Sequence, residues 1–104
     1  MSWGITDFNG YVPKTTFWDD FTIADNFGAA AVEDTYKRAM DSWKNDYIYL
    51  TELVMVLNHK IWQHYEAGNR DLSKKYDECW RLADRYAVEN LTGDELKYFF
   101  DVTD

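Results

Sequence analysis

Apolar residues recur at intervals of three and four along three stretches of this chain. At 3.6 residues per turn that spacing gathers them on one face, so each stretch predicts an amphipathic helix. The first runs from Thr22 to about Trp43, with Ile23, Phe27, Ala31, Val32, Tyr36, Ala39, Met40 and Trp43 on its stripe. Thr22 and Asp25 open it as a capping box, the Thr22 hydroxyl capping the backbone and the Asp25 carboxylate reaching back. Gly28 costs about 1 kcal/mol against Ala inside a helix and offers a point at which the segment divides into two.

The second stretch carries the strongest signal. Leu50, Leu53, Val54, Leu57, Ile61 and His64 or Tyr65 share a face, which predicts the centre of the core. It ends near Ala67, because Gly68-Asn69 tolerates the left-handed conformation found just past a helix. Asp71 is placed to cap a third helix, striped by Leu72, Tyr76, Cys79, Trp80, Ala83, Ala87 and Leu91. Thr92 and Glu95 repeat the capping pattern and open a short last helix through about Phe100.

Residues 1–21 read differently. Asn9-Gly10 is a turn signal that admits a short hairpin, and Pro13 forbids a helix interior. The expected organisation is an irregular, aromatic-rich N-terminal arm over residues 1–21 followed by a helical domain over 22–104. Short connections between long amphipathic helices favour antiparallel neighbours. The expected fold is therefore all-α, a small antiparallel bundle of three long helices plus a short C-terminal one.

Composition narrows the function classes. Nineteen acids against eleven bases give a net charge of −8, which opposes attraction to phosphate backbones or anionic lipid. Direct nucleic-acid binding is not expected. The longest apolar run, Leu53 to Leu57, is far below a membrane span, and the amino terminus lacks a basic region followed by a long apolar one. Neither export nor insertion is expected, and the single cysteine, Cys79, suits a reducing cytoplasm.

Candidate chemistry is sparse. His59 and His64, five residues apart, point about 140° from one another on a helix and make a poor metal pair. Cys79 lies in an apolar stripe, where a thiol behaves as a small hydrophobe. Adjacent acids such as Asp77-Glu78 have Lys74 and Arg81 one turn away, an ordinary pattern on a solvated helix. No catalytic, cofactor or metal site is expected.

Aromatic residues form 18% of the chain. Trp3, Phe8, Tyr11, Phe17 and Trp18 crowd the arm and Trp62 flanks the main stripe of the second helix, so these six are the candidate interface residues, Trp and Tyr being favoured anchors. The expected function is a non-catalytic protein-interaction module, with a protein partner or a second copy of the chain. An alternative is an acidic mimic that fills the nucleic-acid groove of a nuclease.

The segments Phe17–Asp25 and Asp34–Ala39, YLTELVMVLNHKIWQHYE at 49–66 and ENLTGDELKYFFDVTD at 89–104 resemble a family of small helical proteins encoded by phages and mobile elements of gut Firmicutes. His59 stands where that family is expected to carry a large aromatic. The resemblance implies an accessory protein acting inside a bacterial cell, including one that blocks a defence nuclease in the manner of an anti-CRISPR protein. It carries over no site residue.

Overall fold

The computed structural model describes residues 11–103 as five helices: α1 (Phe17–Asp25), α2 (Ala29–Trp43), α3 (Tyr47–Glu66), α4 (Arg70–Asn90) and α5 (Gly93–Thr103). No strand occurs among the described residues. Trp3, Phe8 and the Asn9-Gly10 turn lie outside them.

Helix α3 is the axis of the fold. Every residue from Leu50 to Leu57 is buried, so this half of the helix is covered on all its faces rather than along a single stripe. It packs most extensively on α4, and α1, α2 and α5 close around it. The Asp46 side chain caps its start, accepting from the Ile48 and Tyr49 N–H groups at 3.1 and 3.2 Å. Its end is the expected one. Gly68 takes φ +82°, the Asn69 N–H donates to the His64 carbonyl and the Gly68 N–H to the Tyr65 carbonyl, which satisfies two orphan carbonyls.

The first expected helix divides at Gly28, whose φ of +100° breaks the chain between α1 and α2. Its start needs correction, because α1 begins at Phe17 rather than Thr22. Phe17, Phe21 and Ala24 are spaced by four and three and all three are buried, while Asp19 and Asp20 sit in the first turn, where the helix dipole favours negative charge. The stretch 17–21 is thus helix rather than irregular arm, and the boundary expected between residues 21 and 22 falls inside α1. Helix α4 likewise starts at Arg70, with Asp71 in its first turn instead of at the cap.

Two buried polar groups fasten these elements. Glu52 of α3 is fully buried, and its carboxylate accepts from the Tyr11 hydroxyl at 2.8 Å, the Lys14 N–H at 2.8 Å, the Thr15 N–H at 2.9 Å and the Thr15 hydroxyl. The non-helical residues before α1 are therefore tied to the axis. Lys60, also on α3, holds α1 itself.

Candidate functional site

Lys60 is 0% exposed, an extreme position for an ammonium group. Its Nζ donates to Asp25 Oδ2 and to the Thr22 hydroxyl, both at 2.9 Å, and stands 4.3 Å from the centre of the Trp18 ring. All three partners belong to α1, one turn apart on one face. Asp25 also accepts from His64 Nε2 at 2.9 Å and from the Tyr76 hydroxyl of α4. The Asn69 amide donates to His64 Nδ1 at 3.1 Å, which leaves the proton on Nε2, and the imidazole stacks on the Tyr76 ring.

Burial pulls the Lys60 ammonium below its ordinary pKa, against the opposing pull of Asp25 and Asp19. Burial and the Asp25 carboxylate push the Tyr76 phenol well above its usual value. The cluster saturates its own donors, and no buried side-chain polar atom lacks a partner among the described residues. Its chemistry is that of a bolt joining α1, α3 and α4. Thr22 and Asp25, read from sequence as a helix cap, are two of its members, with the Thr22 hydroxyl donating to the Trp18 carbonyl from inside α1.

Cys79 is buried, and burial pushes its thiol up to about 12. Tyr36, beside it in the core, is also raised by burial, to about 12. Below about pH 9 both groups stay protonated whether the chain is folded or not, so their full contribution to stability is present there. Above that the unfolded thiol ionises first, and the contribution is lost as pH rises toward the folded values. The Tm is expected to fall between pH 9 and 12, less steeply in Cys79→Ala, and a thiol reagent should label native protein at pH 8 only as fast as it opens. Immediate stoichiometric labelling of folded protein would contradict this burial.

The outer surface of α1 and α2 is built differently. Phe17, Ala24, Ala31 and Ala39 form the floor of a groove of about 480 Å³ between the two helices. Ile23, 60% exposed, Phe27, 76% exposed, and Trp43, 39% exposed, stand along it. Asp20, Asp34, Thr35, Arg38 and Ser42 complete the lining. The Trp43 ring lies 4.4 Å from that of Tyr49, which fixes it against the start of α3.

These three residues correct the stripe read along a single helix from 22 to 43. Once Gly28 breaks that helix, α1 buries the side bearing Phe17, Phe21 and Ala24, and Ile23 points about 120° away from it. Phe27 falls in the connection. Trp43 ends α2, beyond the point where the core covers it.

The six candidate interface residues separate accordingly. Phe17 is buried in the core, and its edge reaches only the groove floor. Tyr11 and Trp18 are half-buried and turned inward, toward Glu52 and Lys60. Trp62 is exposed near the end of α3, with its ring 5.7 Å from Tyr65, and does not line the groove. Trp3 and Phe8 are outside the described residues. The signal that could have located the groove was the Phe17, Phe21, Ala24 spacing, which gives α1 a register of its own.

No helix is long and apolar enough to cross a membrane, and no group of three or more His, Cys, Asp or Glu side chains could hold a metal ion, both among the described residues. Comparison with protein-family models, curated proteins and solved structures gives no match, so what the groove does follows from its own chemistry.

Proposed function

We propose that this chain is a non-catalytic protein-interaction module, an accessory protein of a phage or mobile element, and that the α1/α2 groove is its contact surface. The observation that carries the reading is the cluster of Ile23, Phe27 and Trp43 standing in water around an apolar floor, with charged and polar groups at its edge. That is the anatomy of an interface core with its rim. Scattered apolar residues need no explanation, but three large ones around one depression lose water together when a partner covers them.

A non-catalytic role is supported by the state of the reactive groups. Cys79 is buried and protonated, and Lys60, His64 and Asp25 are committed to one another. The acidic-mimic alternative receives less support, because Asp25 and Glu52 are spent inside while Glu33, Asp34, Asp77, Glu78 and Asp101 have cationic partners. The phage or mobile-element setting rests on the resemblance of the segments named above.

The test is capture from a host lysate with mass-spectrometric identification, comparing the wild-type chain, the triple variant Ile23→Ser/Phe27→Ser/Trp43→Ser and Trp62→Ser. The triple variant should keep its helical circular dichroism and lose the partner, while Trp62→Ser keeps it. Exposed positions such as Phe27 cost within about 0.5 kcal/mol when changed. A folded triple variant that retains every partner would end this reading.

A further inference from the structure

Resting on the groove being a contact surface, we infer that its occupant is an amphipathic helix of a partner protein with basic residues flanking its apolar stripe. The shape argument comes first. A depression between two packed helices is the complement of a helix ridge, and α1, the shorter wall with 9 residues, gives it a length of about 13 Å, enough for two to three turns. Phe27 and Ile23 at one end and Trp43 at the other mark out apolar anchors separated by turns of a helix.

Charge selects the flanks. Asp20 and Asp34 line the groove with one guanidinium, that of Arg38, so its lining carries two carboxylates against one cation. Arg38 is bound to Asp34 and to the Thr35 hydroxyl, which holds this cation to α2 rather than leaving it toward an incoming acid. Among the described residues the carboxylate of Asp20 accepts only from a neutral hydroxyl, that of Thr16 at 3.0 Å. The whole chain at −8 adds an attractive field for a cationic segment.

The same charges argue against a second copy. A two-fold contact would set the net negative lining of one chain, Asp20 and Asp34 with Arg38, against the same net negative lining of the other.

The probes are three fluorescein-labelled 14-residue peptides. One carries Leu at positions 3, 6, 7, 10 and 14 with Lys elsewhere on its flanks, one has Glu in place of each Lys, and one has the Lys composition scrambled so that no apolar stripe forms. Fluorescence anisotropy against the full chain at 150 mM salt should show the Lys-flanked helix binding at least tenfold more tightly than either other peptide. Ile23→Ser/Phe27→Ser should weaken it at least tenfold, and Asp20→Asn about twofold, with the folded state checked by circular dichroism.

Equal binding of the Lys- and Glu-flanked peptides would overturn the charge inference while sparing the groove. Equal binding of the scrambled peptide would reduce the effect to unspecific attraction and overturn the helix. A dimer by light scattering that dissociates in Ile23→Ser/Phe27→Ser would assign the groove to a second copy instead. Should all three peptides fail while the triple variant still loses a captured partner, the occupant is wrong and the contact surface stands; should the triple variant keep its partners, both fall.

Discussion

Asp25→Ala is expected to destabilise the protein by about 3–5 kcal/mol, the cost of leaving a buried charge without its counter-charge. Lys60 is fully buried in the native structure, and after the substitution the Thr22 hydroxyl and the Trp18 ring remain in contact with its ammonium, with Asp19 as the remaining, non-contacting carboxylate. The Tyr76 hydroxyl would keep only its weaker 3.2 Å bond to the Phe21 carbonyl. At about 4–8 °C per kcal/mol for a domain of this size, the Tm should fall by more than about 12 °C. Adding Lys60→Met removes the stranded charge with little change in volume, so the double variant should recover more than half of the loss. Urea denaturation of the two single variants and the double variant gives the coupling directly. A loss below about 1 kcal/mol for Asp25→Ala, or no recovery in the double variant, would show that the cluster does not hold the helices together.

The second large effect is expected at Glu52. Its carboxylate takes four donors, two of them backbone N–H groups of Lys14 and Thr15, one on each oxygen, whereas a glutamine offers one accepting oxygen and turns its NH₂ toward a backbone N–H that can only donate. Glu52→Gln should cost about 2–3 kcal/mol through unsatisfied buried groups. The damage has an address. Amide exchange at residues 14 and 15 should lose protection and trypsin should cut after Lys14 much faster, while amides in the middle of α3 and α4 change only with global stability. Unchanged protection at residues 14 and 15 would mean that this carboxylate is not what fastens the segment. Burial and Glu52 together hold the Tyr11 phenol well above its ordinary pKa, so it should also be the slower of Tyr11 and any exposed tyrosine to ionise in alkali.

What could be read from the sequence followed from periodicity, and what was missed followed from partners far away in the chain. The Leu50, Leu53, Val54, Leu57 face located the axis because apolar spacing is a local property of one helix. The Gly68 stop was legible for the same reason, since a left-handed residue after a helix needs only its own backbone. Glu52 and Lys60 were not. Both sit within the helix whose apolar spacing marks the core, and nothing within four residues of either announces that residues 11–15 and 22–25 will bring their bonds.

Thr22 and Asp25 show the reverse error. A threonine followed three residues later by an acid is a good local sign of a helix start, and Pro13 discouraged helix nearby. The buried Phe17, Phe21 and Ala24 outweighed that sign, and both side chains were left free for Lys60. The groove was missed because Gly28 resets the register, so that residues assigned to one buried stripe came to face two directions.

The Asp25–Lys60 bond has a last consequence for how the helices find their alignment. Apolar faces repeat, and α1 moved along α3 by one turn, about 5.4 Å, would still lay aromatic and aliphatic carbon against the core. Such a slip would carry Asp25 and Thr22 out of reach of Lys60 and strand a cation where no water comes. Grease alone would accept several settings of α1; the ion pair and the hydroxyl accept one, and with it they fix the width and direction of the furrow that α1 and α2 present to the outside.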